Sequence, residues 1–198
     1  MTKILLKGST MLNPVPVALI TSKSKEGKPN IFTVGWIGTA CTKPPMITVA
    51  IRPERLSYEY IKDTREFVVN LPQKSLVKKV DYCGVRSGKV IDKISKCNFT
   101  LEKAEVVNAP IIKECPVALE CKLKEIIPLG SHHLFLAEVV TIQVEEELID
   151  KAGKIHLEKA NLICYSHGEY FPIPEKPIGK FGFSVQKKKI KRIDRRRE

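Results

Sequence analysis

Residues 115 to 127, CPVALECKLKEII, constrain the fold more than any other stretch of the chain. Cys115, Val117, Leu119, Cys121 and Leu123 fall on one face of an extended segment, and Glu120, Lys122 and Lys124 on the other. A period of two is the mark of a β-strand with one apolar face and one wet face. After the turn PLGSH, residues 133 to 148 form a second long strand, apolar first and acidic at its end. Two such runs joined by a short turn pair as an antiparallel hairpin.

The preceding residues follow the same habit. VALITS, residues 17 to 22, is a strand, and the polar turn KSKEGKPN returns it into a strand over residues 31 to 37. There Ile31, Thr33, Gly35 and Ile37 share one face, with Phe32, Val34 and Trp36 on the other. Glycine weakens a strand, so Gly35 beside the only tryptophan marks a bulge or the close approach of a backbone or ligand. Pro44 and Pro45 force an extended entry into MITVAI, residues 46 to 51. ERLSYEYIKDT, residues 54 to 64, is a short helix with Ser57 as its N-cap and Glu59 in its first turn. EFVVNLP, residues 66 to 72, is a strand ended by proline, and QKSLVKKVDYCG is a helix closed by Gly84. SGKVIDKIS follows as a loop with a short helix. No regular βαβ alternation occurs, which argues against a doubly wound fold. The expectation is a mainly β protein with a few short helices, closed as an antiparallel barrel because closure removes exposed edges. Residues 1–186 form one domain and residues 187–198 a tail.

Composition narrows the function. The 198 residues are 43% hydrophobic and 28% charged, in the range of soluble globular proteins. No apolar run approaches the ~20 residues that span a bilayer. The opening MTKILLKGST has too short an apolar run for a signal peptide, so the cytoplasm is the expected location. Of the net charge of +12, half sits in KKKIKRIDRRRE at residues 187–198. Such a tail is usually a solvated extension, and nucleic acid is the minority reading. The six cysteines form no CxxC pair, which disfavours structural zinc, and they are expected to be reduced and mostly buried.

Two stretches point to chemistry. In AIRPERLSYEY a strand ends at Ile51, Arg52 and Arg55 follow, and a helix begins near Ser57. Free helix-start amides, two guanidinium groups and a hydroxyl suit a phosphate; a capped helix with surface arginines is the ordinary alternative. In the 30 to 42 stretch, Asn30, Thr33, Gly35, Trp36 and Gly38 mix polar side chains with approachable backbone. GSHHLF places His132 and His133 on opposite faces of a strand entrance. No Walker or dinucleotide loop occurs.

Together, NIFTVGW, PPMITVAI, RLSYEYIKDTREFVVNLP, VDYCGVRSGKVIDK, APIIKECPVALECKL, GSHHLFLAEVV and GKFGFS, in this order over residues 14 to 184, resemble the flavin reductase-like, FMN-binding split-barrel family, flavoredoxin included. The resemblance implies a Greek-key antiparallel split barrel, a homodimer and bound FMN. The flavin would lie along Asn30, Thr33, Gly35, Trp36, Ile37, Thr39, Ala40 and Cys41. Its phosphate would sit near Arg52, Ser57 and the helix start. Lys89 or Lys93, His132 and the Phe181 segment are further carry-overs. The family often has an acid before the histidine, where this chain has Ser131. The implied activity is hydride transfer from NAD(P)H to FMN, with a non-enzymatic electron carrier serving a redox partner as the rival. A tail-borne nucleic-acid-binding protein is the third reading, and no metal site is expected.

Overall fold

The structure, a computed structural model, describes residues 1–186; the basic tail at 187–198 lies outside the described residues. β1 (Val15–Pro16) leads into β2 (Ala18–Lys23), and a turn at Gly27, held at φ +86°, returns the chain as β3 (Pro29–Val34). The chain bends through Gly35 and Trp36 and resumes as β4 (Ile37–Cys41) and β5 (Met46–Ile51). Next come helix α1 (Leu56–Thr64), β6 (Glu66–Leu71), and helices α2 (Val77–Val85) and α3 (Lys93–Cys97). β7 (Leu101–Glu102) and β8 (Ile111–Ile112) form a short ladder. β9 (Val117–Pro128) and β10 (His133–Val144) make the expected long hairpin, and β11 (Ile163–Ser166) and β12 (Glu169–Pro172) close the chain.

Seven strands form one antiparallel sheet in the order β3-β2-β6-β9-β10-β5-β4, and a second small sheet runs β1-β11-β12. β3 and β4 are therefore the two edges of the large sheet although only Gly35 and Trp36 separate them in sequence. The sheet curls into a barrel whose split lies between these edges. At the crossing, the Ala50 amide donates to the Trp36 carbonyl at 2.9 Å, and the Ile37 amide to that of Gly35 at 3.0 Å.

Two cores result. Inside the barrel, Ile20, Phe32, Val49, Phe67 and Phe135 pack with Ile61 of α1. Outside it, Leu19 and Ile31 point from the other face of β2 and β3 into a second core with Val80, Cys83, Cys97 and Phe99. So α2, α3 and the following loop cover the second apolar face of the opening strands within one chain. Burying apolar area at ~25 cal/mol per Å² drives both layers.

Several expectations need correction. The strand expected over 31 to 37 stops at Val34, because the chain must leave one sheet edge for the other. Ser57 is not the cap of α1: Arg55 occupies the N-cap without a side-chain bond, and Ser57 lies buried inside the first turn. Gly84 does not close α2, which runs on to Val85. β10 ends at Val144, and the acidic stretch turns into a short 3₁₀ segment, Glu146–Leu148. The wet face of β9 holds for Lys122 and Lys124 but fails at Glu120, which is fully buried. Its carboxylate accepts the amides of Glu105 (2.9 Å), Val106 (2.7 Å) and Val107 (3.0 Å), and the Gln143 side-chain amide at 2.8 Å. Burial alone would push this carboxyl up in pKa; these four donors outweigh it and hold the group below its ordinary value.

Candidate functional site

The split in the barrel opens a cleft on either side of the Gly35–Trp36 link. One cavity, about 250 Å³, lies among Phe32 to Trp36, Ala50 to Arg52, Arg55, Gly84 and His132, with Tyr165 and Tyr170 of the small sheet as its far wall. The other, about 480 Å³ and mainly apolar, runs along Ile37, Gly38, Thr48 and Leu134 under Thr10 and Leu12. Gly35, Trp36, Ala50 and His132 line both. Alongside, β4 pairs with β5 on one side only, so the backbone donors and acceptors of its other side are unspent by the sheet.

A buried polar cluster lies at the start of α1. Ser57 Oγ accepts the Ser22 hydroxyl at 2.9 Å and the Asn30 side-chain amide at 2.8 Å. A hydroxyl that accepts twice still has its own proton to donate. Gly88 keeps this geometry possible: a Cβ there would sit 2.2 Å from the Asn30 oxygen. Asn30, Gly88, Lys89 and Lys93 line one pocket.

Lys93 is the unusual member. It is 2% exposed, and among the described residues its ammonium has one partner, the Cys83 carbonyl at 3.1 Å. An ammonium carries three donors, so two remain unspent, and among the described residues no carboxylate pairs with it. Burial pushes its pKa down to about 8, and the Arg55 charge pushes the same way. A buried cation without a counter-ion is costly unless something anionic completes it.

At the other end, Ser131 Oγ lies 3.0 Å from His132 Nδ1. Burial and the Arg52 charge hold His132 below its ordinary pKa, so the ring is neutral at pH 7. His133 turns away to Tyr58, whose hydroxyl is 2.9 Å from its Nδ1. Tyr170 donates to Asp81 at 3.3 Å and packs edge-on to Tyr165; burial and Asp81 push its phenol up to about 12.

The sequence matches the flavin reductase like domain over residues 10–174. The chain belongs to the flavin reductase-like family. Its fold is that of flavoredoxin from Desulfovibrio vulgaris, with a TM-score of 0.86 at 28% identity over 92% of this chain and 100% of that one. Flavoredoxin from Methanosarcina acetivorans gives 0.84 at 29% identity over 94% and 100%. An uncharacterized protein of Archaeoglobus fulgidus is 35% identical over 160 residues, 81% of this chain and 88% of that protein.

Within this flavin reductase-like barrel the expected residues divide. Thr33, Gly35, Trp36, Arg52 and His132 line the first cavity and Ile37 the second, while Asn30 and Lys93 line a separate pocket, with Ser57 bonded to Asn30. Arg52 is half exposed and faces Glu54 at 3.7 Å. Thr39 and Ala40 lie exposed on β4, and Cys41 turns its thiol to the Lys43 carbonyl at 3.4 Å. Lys89 is spent on Glu59 at 3.1 Å. Phe181 stands fully exposed and contributes to neither cavity. Sequence reasoning missed Tyr165, Tyr170 and Gly88. The tyrosines reach the cavity only because the small sheet folds back onto the split, which no local pattern announces.

Proposed function

We propose that this flavin reductase-like chain binds FMN and accepts hydride from NAD(P)H. The observation that supports it best is Lys93: a buried ammonium with two unspent donors that lines one pocket with Asn30, whose side-chain amide meets the Ser57 hydroxyl. Those donors match a phosphate monoester, for which charge-assisted bonds are the strong ones. The open edge of β4 and the link at Gly35 would meet the polar rim of a flat ring, while Trp36 and the two tyrosines offer aromatic walls. When bound, the flavin supplies the hydride-accepting ring. The protein's own part is to hold the phosphate through Lys93, Ser57 and Arg52, and to keep water from the cleft. His132, neutral and fixed by Ser131, can take or give a proton at the cleft's shared wall.

The reading extends to a homodimer in the cytoplasm. Trp36, Ile142, Phe171, Ile173 and Phe181 are exposed apolar side chains that a second subunit would cover. Light scattering at low concentration tests this, and a monomer that retains flavin would sink it.

The test of the function has two stages. The purified protein should be yellow and bind FMN tighter than riboflavin, and Ser57→Ala with Arg52→Ala should weaken FMN far more than riboflavin. NADH or NADPH should then bleach the holoprotein rapidly without oxygen. Failure to bleach while FMN stays bound would make the protein an electron carrier that takes its electrons from a redox partner.

A further inference from the structure

Six free cysteines are present among the described residues, and one pair stands apart. Cys83 on α2 and Cys97 at the end of α3 face each other with their sulfurs 3.9 Å apart. Both are buried, at 0% and 8% exposure. A disulfide needs sulfurs about 2.05 Å apart, so a small approach of the two helices closes the bond. Lys93 is the first residue of α3 and donates to the carbonyl of Cys83 itself. The two thiols therefore sit on the pair of helices that position the buried ammonium.

We propose that Cys83 and Cys97 are a site of reversible oxidation, and that closing their disulfide displaces Lys93 and weakens phosphate binding. The second half rests on the FMN reading; the first does not. The oxidant is a hydroperoxide. Cys97, the less buried of the two, attacks the peroxide oxygen as its thiolate, giving a sulfenic acid and releasing hydroxide or alkoxide. The Cys83 sulfur then attacks that sulfenic sulfur, the S–S bond forms, and water leaves with the Cys83 proton. Two electrons pass from the thiol pair to the peroxide. The Lys93 ammonium favours a Cys83 thiolate, but burial pushes the Cys83 thiol up to about 12, which suits Cys83 to the second, resolving step rather than the first attack.

The test treats the full-length protein with hydrogen peroxide, maps its disulfides by mass spectrometry without reduction, and titrates FMN and riboflavin before and after. The expected result is a Cys83–Cys97 bridge, reversed by dithiothreitol, with FMN binding ~10-fold weaker and riboflavin unchanged, the size of one lost charge-assisted bond. Cys97→Ser and Cys97→Ala should bind FMN normally and show no peroxide response; the second variant guards against a folding defect in the first. Oxidation that leaves the pair unbridged, or reaches only other cysteines, overturns the site. A bridge that leaves FMN affinity intact overturns the coupling. If the reduced protein binds no FMN at all, the functional reading fails, and the bridge still stands or falls on the mapping.

Discussion

Glu120 and Lys93 are both buried charges on the same small domain, and they are treated in opposite ways. Glu120 is met by four donors, three of them backbone amides of one loop. Lys93 is met by one carbonyl. A closed shell of partners is what structure requires of a buried charge; an open one is what binding requires. The first group holds residues 105–107 against the barrel. The second waits on an anion. The contrast separates a fastening from a site without appeal to any motif.

The hardest blow to this contrast is Glu120→Ala. It strands the buried Val107 amide and the part-buried amides of Glu105 and Val106, at about 1–3 kcal/mol for a fully buried donor and less for the other two, so urea unfolding should show roughly 2–4 kcal/mol lost. FMN affinity, measured where the variant is folded, should stay within about twofold. A large loss of affinity would mean that the fastening and the site are one.

Lys93→Met should do the reverse. Removing an under-partnered charge from a buried position is often neutral or stabilising. FMN affinity should fall ~10–100-fold while riboflavin barely changes, as fluorescence titration would show. Equal losses for the two flavins would remove Lys93 from the phosphate.

Folding lowers the pKa of both charges, so each makes stability rise with pH, but in separate windows. Lys93 titrates near 8 in the fold against 10.5 unfolded, so the unfolded chain holds more protons between these values, and stability of the free protein rises with pH across that window. Phosphate favours the protonated amine, so FMN affinity should decline above about pH 8, and bound FMN should flatten the rise in stability. Glu120 is held below its ordinary 4.5, so its contribution is complete above that value and is lost as pH falls through its folded pKa. Chemical denaturation at pH 4 to 10, with and without FMN, checks both signs.

The smallest effect belongs to Lys89, whose pair with Glu59 is open to water. Exposed pairs contribute ~0.2–1 kcal/mol, so Lys89→Ala should move stability little. A drop beyond ~1 kcal/mol would show a role other than the ion pair.

Legibility in the sequence followed the same line. The β9–β10 hairpin was plain because its period of two and its polar turn are local. Glu120 was misassigned to water because its partners arrive from a loop some fifteen residues away. The break at Gly35 was hidden, since Phe32, Val34 and Trp36 keep the alternation across it. Ser57 carries the chemistry of a cap and of a ligand-facing hydroxyl alike; only contact with Ser22 and Asn30 decides between them. Lys93 entered through family resemblance, and its buried, under-partnered state could not be read from its neighbours in sequence.

The crossing at Gly35 and Trp36 sets a length that the fold cannot escape. Laid flat, the seven strands would hold β3 and β4 six spacings apart, roughly 29 Å at ~4.8 Å each. From Val34 to Ile37 the chain makes three residue steps and reaches at most ~11 Å. A flat sheet is thus ruled out by connectivity alone, before any side chain packs. The same leash fixes how far the two lips of the cleft can part. A mutation elsewhere in the barrel can loosen the walls, but it cannot widen the mouth beyond the reach of three peptide units. Lengthening that link by a few residues would release the mouth while leaving every wall residue in place.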